Sequence, residues 1–274
     1  MIELFETDIK TNDRQSSKGN QLKWENNGIW YKADYKGYEG LVEYVVSNLL
    51  KYSNLKDSEY VIYSPIEIKY KSKIFNGVSS KNFLKDGWQV ITLERLFKNV
   101  NGKGLNYYIW SIRELKDRLE FIVKNIEKLT GLKEFGKYMN KLLTIDAFFL
   151  NEDRHTHNIA VLMNGNGEFG YCPIFDNGAG LLSDISLEYP LGGNVYKQID
   201  SVKSKTFSTN FDEQLETSEI LYKENLKFNF TKKDVEKILN DGKVSIYPLE
   251  IRERVKTIIY DRMRKYSYLF ELSH

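Results

Sequence analysis

The sequence is short of several things, and each shortage narrows what the chain can be. Among 274 residues there is a single cysteine, Cys172. No disulfide can form within the chain, and a reducing compartment fits. No apolar run approaches the ~20 residues that a membrane-crossing helix needs. The first residues, MIELFETDIK, lack a basic start followed by an apolar stretch. A secretory signal is therefore not expected, and the cytoplasm is the expected location. Charge of one sign is lacking too: 40 Lys and Arg stand against 38 Asp and Glu, a formal net charge of +2. A global nucleic-acid or membrane-binding surface is not expected from that balance. Histidine is scarce, with His155, His157 and His274 the full set, which leaves little for a multinuclear metal centre.

What is present suits a globular protein. Hydrophobic residues make up 41% and charged residues 28%, and the length accommodates one large or two-lobed domain. Residues 1–20 are polar and read as a mobile loop. QLKWENNGIWYKAD reads as two short strands around a turn at Asn26-Asn27-Gly28. Over residues 38–52, Leu41, Val42, Val45, Val46, Leu49 and Leu50 recur at helical spacing. EYVIYSPIEIKYK and the stretch around WQVITLERLF read as further strands. From residue 111 the period changes. Ile112, Leu115, Leu119, Ile122, Ile126 and Leu129 stripe one helix that stops at Gly131, and FGKYMNKLLTIDAFFL forms a second. The strand-like pieces IAVLM and YCPIF follow, then helices over about 231–240 and 248–270. The pattern predicts an α+β, two-lobed arrangement: a strand-rich N-lobe over 1–98, a linker at Asn99–Asn106, and a helical C-lobe over 107–274.

The chemistry concentrates between the second helix and the last strand-like pieces. Asp153 and Asn158 are spaced as D-x-x-x-x-N. Phosphoryl transfer needs an acceptor for the substrate hydroxyl proton and an oxygen ligand for magnesium, and a carboxylate and an amide on one loop supply both. Asp176 follows an apolar strand in PIFDNGAG, where a carboxylate next to Gly178 would hold a second magnesium contact. Upstream, Lys32 sits in a strand and Glu43 on the helix after it, the order of a phosphate-gripping lysine and its glutamate partner, with Glu39 as a second choice. Each taken singly also has a plain reading, as a turn residue or a solvated charge. The polar SSKGNQ segment (16–21) is not a G-x-G-x-x-G loop, and no G-x-x-x-x-G-K-[ST] occurs. Such a segment could still cover phosphates through backbone N–H groups.

Asn151-Glu152-Asp153-Arg154-His155-Thr156-His157-Asn158, followed by Ile174-Phe175-Asp176-Asn177-Gly178, resembles the kinase domain of HipA-like serine/threonine kinases. The D-R-H-x-x-N core is shared with phosphoinositide 3/4-kinases. WYKADYKGYEGLVEYVVSNLL and VITLERLF resemble a compact branch of the HipA-like group. The resemblance spans about residues 15–215 and implies a two-lobed kinase fold with ATP and Mg2+ in the cleft. It implies Asp153 as base, Asn158 and Asp176 as metal ligands, and Lys32 as phosphate-binding. It also implies Glu94, Arg95 and Leu96 as the hinge that meets adenine, and His155 as support for the catalytic loop. A protein substrate, a possible antitoxin-like or host protein partner, and autophosphorylation at Ser16 or Ser17 follow from the same resemblance. Full-length HipA toxins carry an additional N-terminal subdomain for which this chain has no room. The rival readings are a metal-dependent hydrolase built on Asp153, His155, His157 and Asp176, a phosphoinositide kinase, and a non-catalytic pseudokinase module.

Overall fold

The computed structural model describes residues 1–10 and 21–270. The Ser16 and Ser17 expectation, most of the 16–21 segment, and His274 fall outside the described residues.

The N-terminal part is organised by one sheet. Its strands are β1 (Ile2–Leu4), β2 (Lys23–Asn26), β3 (Ile29–Ala33), β4 (Ser64–Tyr70) and β5 (Lys73–Lys81), in the spatial order β1-β4-β5-β3-β2. The expected turn is there: Asn27 and Gly28 have φ of 51° and 76°, the two left-handed positions of a tight hairpin that Asn and Gly tolerate best. It sets the antiparallel register in which Lys23 faces Lys32. The N-terminal segment read as a loop contributes β1, which pairs in parallel with β4. Three residues are too few to display alternation. Between β3 and β4 runs α1 (Glu39–Leu50), within the helix expected over 38–52. It is buried on nearly every side, because sheet and C-terminal helices cover opposite faces.

The remaining elements begin with β6 (Trp88–Thr92), α2 (Leu93–Asn101), α3 (Leu105–Ile109), α4 (Leu115–Thr130) and α5 (Phe135–Phe149). They continue with β7 (Ala160–Asn164), β8 (Phe169–Tyr171), α6 (Val195–Ser201), α7 (Phe211–Tyr222), α8 (Lys232–Leu239) and α9 (Leu249–Lys265). Strands β6, β7 and β8 form a separate antiparallel sheet. The main core runs from α1 through α4, α5 and α9 to the aromatic group Phe148, Phe149, Phe228 and Phe230.

Three expectations need correction. WQVITLERLF is a strand only to Thr92, whose Oγ1 accepts the Arg95 N–H at 3.2 Å and starts α2. Leu93, Leu96 and Phe97 are buried at helical spacing, so the apolar residues that looked like a strand serve a helix. Asn99–Asn106 is not an extended linker: α2 continues through Asn101 and α3 begins at Leu105. The change from the first sheet to the second falls earlier, between Lys81 and Trp88, because β6 pairs with β7 rather than with the N-terminal strands. YCPIF, too, is not one strand. β8 ends at Tyr171, and beyond Pro173, Ile174 bridges in parallel to Tyr60. Proline cannot donate to a ladder, which ends the pairing there.

Candidate active site

Lys32 reaches from β3 into the interior, with only 8% of its surface exposed. Its Nζ donates to Glu43 Oε1 at 2.7 Å and to Asp176 Oδ1 at 2.8 Å, with the Tyr63 hydroxyl at 3.4 Å. Burial alone would lower the lysine pKa, but the Asp176 and Glu43 carboxylates overcome it and hold the ammonium well above its ordinary value. Asp176 shows the mirror case. Burial pushes its carboxyl up, and the Lys23 and Lys32 ammonium groups outweigh that and hold it far below the usual carboxylate range. Glu43 is thus the partner, and its second oxygen accepts the Asn177 N–H at 3.0 Å. Glu39 is occupied otherwise: its carboxylate accepts the N–H groups of Tyr35, Lys36 and Gly37, ahead of α1.

The loop after α5 is held by a buried ion pair that the sequence reading passed over. Asp146 on α5 and Arg154 are both sealed from solvent. The guanidinium grips both Asp146 oxygens at 3.1–3.2 Å. It also donates to Phe175 O at 2.7 Å, to Asn177 Oδ1 at 2.8 Å and to Asn158 O at 3.3 Å. Asn151 adds a bond to Asp146 Oδ1 at 3.0 Å and a longer one to Asp176 O at 3.4 Å. One cation therefore ties the segment carrying Asp153 and Asn158 to the segment carrying Asp176. The signal was present in the sequence: Asp146 is a carboxylate within the apolar run TIDAFFL, and a charge there needs a buried partner.

Asp153 and Asn158 come together as their spacing suggests. Asn158 Nδ2 donates to Asp153 O at 3.1 Å, and Asn158 N donates to His155 O at 2.7 Å. Asp153, Asn158 and Asp176 line one cleft together with Lys23, Lys36 and Glu39. The empty space between these residues, about 600 Å³, includes open solvent. Backbone geometry around it is unusual. Leu150, Asp176, Leu181 and Leu182 all have φ between 50° and 63°, conformations that non-glycine residues keep only when their surroundings enforce them. Gly178 leaves room for α1: a side chain there would press on the Glu39 main chain at 3.3 Å.

His155 belongs to the same loop. Its Nδ1 accepts the His157 N–H at 3.2 Å, and Nε2 is 4.0 Å from Asp153 Oδ2. Burial holds its pKa below the ordinary value despite the pull of Asp153, so the ring is neutral at neutral pH. Among the described residues, no group of three or more His, Cys, Asp or Glu side chains is placed to hold a metal. Asp176 and Asn158 line the same cleft. With its nitrogen committed to Asp153 O, the Asn158 amide has Oδ1 as its acceptor atom. A carboxylate and an amide oxygen are the hard donors that Mg2+ takes.

Glu94, Arg95 and Leu96, the residues of the hinge expectation, follow directly on β6. They form the first turn of α2. Arg95 N is bonded to Thr92 Oγ1, and Leu96 is buried. The Glu94 N–H donates to Thr156 O at 3.2 Å, and its carboxylate accepts from Thr156 Oγ1 and Asn106 N, both at 2.8 Å. Glu94 fastens the 151–158 loop to α2.

This architecture, a curled five-stranded sheet with one buried helix set on a helical lobe, is the two-lobed α+β fold of protein kinases. Among solved structures the chain is similar to the Helicobacter pylori proinflammatory kinase CtkA, with a TM-score of 0.60 and 17% identity over 96% of this chain and 94% of that one. It is also similar to the HipA chain of the Shewanella oneidensis HipA, HipB and operator DNA complex, with a TM-score of 0.48 and 12% identity over 93% of this chain and 66% of that one. No family model and no curated protein matches. The expected kinase-like fold is met in the similarity to CtkA. Among the described residues no helix is long and apolar enough to cross a membrane.

Proposed function

We propose that this protein is an ATP- and Mg2+-dependent protein serine/threonine kinase of HipA-like type. The observation that carries the reading is the triple contact of Lys32, Glu43 and Asp176, set beside Asp153 and Asn158 in one cleft. The similarity of the fold to that of the kinase CtkA supports the reading.

Each residue has a physical task. Asp153 accepts the proton of the acceptor hydroxyl as that oxygen bonds to the γ-phosphorus, and the bond to the β,γ-bridging oxygen breaks to release ADP. Lys32, fixed by Glu43, neutralises phosphate oxygens without having to reorganise. Asn158 Oδ1 and the Asp176 carboxylate would hold Mg2+, which supplies charge neutralisation for the phosphates. Arg154 keeps these two ligand segments in register. His155 supports Asp153 and takes no proton from the substrate.

The acceptor is a protein hydroxyl, and an antitoxin-like or host protein is the partner class. Autophosphorylation in the 16–21 segment belongs to the same reading. Incubation with γ-labelled ATP, with and without Mg2+ and a cell lysate, tests it. Transfer of label to protein, dependent on Mg2+ and absent in Asp153→Ala, supports the kinase. Release of phosphate with no labelled product, unchanged in Asp153→Ala, removes it.

A further inference from the structure

The residues on either side of Asp153 are fastened from behind. Asn151 and Arg154 are bonded to Asp146 on α5. Glu152 is buried as well, and a carboxylate in such a place needs a donor. The donor comes from outside the loop: the Tyr189 hydroxyl reaches Glu152 Oε2 at 2.8 Å. Tyr189 is itself buried. Burial first, and then the Glu152 carboxylate, push its pKa up, so the phenol keeps the proton it donates. Glu188, the hydroxyl's other acidic neighbour, is exposed.

Tyr189 also closes a turn that borders the cleft. Its N–H donates to Asp184 O at 2.8 Å, and its carbonyl accepts from Arg254 on α9 at 3.0 Å. Asp184 pairs with Lys36 at 3.3 Å, and its Oδ1 accepts from the Ser186 hydroxyl at 3.2 Å and the Leu187 N–H at 3.1 Å. The turn over 184–189 is thus tied to α9, to Lys36 ahead of α1, and to the residue next to Asp153. Ser183 and Asp184 line the cleft together with Asp153, so a hydroxyl brought to Asp153 has this segment beside it.

We propose that Tyr189 is a positioning residue for the acceptor: through Glu152 it holds the 184–189 turn in register with Asp153, so that a protein hydroxyl, rather than water, is presented to the base. This deepens the kinase reading and rests on it. A side chain locked by packing and by a hydrogen bond transmits position, and a misplacement of about 1 Å can cost transfer ~10²-fold. The grip on the nucleotide rests on other residues, Lys32, Glu43 and Asp176. Loss of the Tyr189 hydroxyl therefore acts on the use of the acceptor and leaves the binding of ATP in place.

The test measures how label from γ-labelled Mg-ATP divides between protein and free phosphate, with a heat-inactivated cell lysate as acceptor. It compares the full chain with Tyr189→Phe, Glu152→Gln and the double variant, with thermal unfolding of each. The ratio of labelled protein to free phosphate does not depend on how much of a variant is folded, so a merely structural role leaves it unmoved. Tyr189→Phe should lower the ratio about tenfold or more, with KM for Mg-ATP within about twofold of the wild type. Glu152→Gln keeps an oxygen for the hydroxyl and should keep the ratio. The double variant removes the buried charge along with the hydroxyl, so it should unfold at a higher temperature than Tyr189→Phe and still show the low ratio. A wild-type ratio in Tyr189→Phe or in the double variant, a loss that lies in the Mg-ATP KM, or a Glu152→Gln ratio as low as that of Tyr189→Phe overturns the assignment of Tyr189 alone. A wild type that labels no protein overturns the kinase reading, and the Tyr189 assignment with it.

Discussion

Replacing Arg154 by methionine separates the scaffold from the chemistry. Arg154 and Asp146 are both buried, and the guanidinium satisfies Asp146, Phe175 O, Asn158 O and Asn177 at once. Removing one partner of such a pair leaves an uncompensated buried charge, which costs about 3–5 kcal/mol. Arg154→Met should therefore lower the unfolding free energy by that amount in chemical denaturation, a large share of a typical total of about 5–15 kcal/mol. The double variant Asp146→Leu/Arg154→Met replaces the pair by apolar groups and should regain most of that loss, since buried pairs are often neutral against well-packed hydrophobes. Activity should not return. The double variant still lacks the donor that holds Phe175 O and Asn177 against the Asn158 segment, so phosphoryl transfer should stay at least ~10²-fold down, as misplaced groups cost about that much. Denaturation curves and labelled-ATP transfer on the same three proteins decide it. A stable double variant with wild-type transfer would refute the claim that Arg154 sets the site's geometry. A loss of under about 1 kcal/mol in Arg154→Met would refute the claim that the pair is structurally essential.

Other outcomes follow from the same geometry. Asp176→Asn removes charge with little volume and should abolish Mg2+-dependent ATP binding while leaving thermal unfolding cooperative, read by calorimetry in both cases. His157→Ala, at an exposed position, should change transfer by less than about threefold, whereas a hydrolase built on His157 would be crippled; phosphate-release assays distinguish the two. Asp34, buried beside Glu39, has its carboxyl pushed up to about 8, first by burial and then by that neighbour. The folded state then holds a proton that the unfolded chain releases near pH 4, so this group lowers stability as pH rises from about 4 to about 8. Asp34→Asn should flatten that part of the stability profile in pH-dependent denaturation. Asp176 acts oppositely: its depressed pKa stabilises above about pH 4, and the benefit disappears as pH falls through its folded-state value.

The sequence displayed the site better than the frame around it. Lys32, Glu43, Asp153, Asn158 and Asp176 converge because each sits at an element boundary or on a periodic stripe that can be read locally. The hairpin at Asn27-Gly28 and helix α1 were legible for the same reason. Long-range pairing was not. Whether WQVIT extends the first sheet or joins β7 depends on partners some 70 residues away, and nothing in its own alternation distinguishes the two. That Glu94, Arg95 and Leu96 open a helix was equally hidden, since Thr92 is an N-cap whose role appears only once Arg95 is seen to follow in helical geometry. Helices α6 and α7 went unassigned because α7 buries only Phe211, Gln214, Leu215 and Ser218, a face half polar and weakly striped. Arg154 was missed because one residue satisfies four groups from three segments, a relation visible only in space.

The most direct test of the account is transfer of the γ-phosphate from Mg-ATP to protein by the wild type and by Asp153→Asn, with nucleotide affinity measured in parallel. The account predicts labelled protein in the wild type, transfer reduced at least ~10²-fold in the variant, and ATP affinity changed far less. Equal labelling by both proteins, or tight ATP binding by a wild type that transfers no phosphate to any protein, would contradict it.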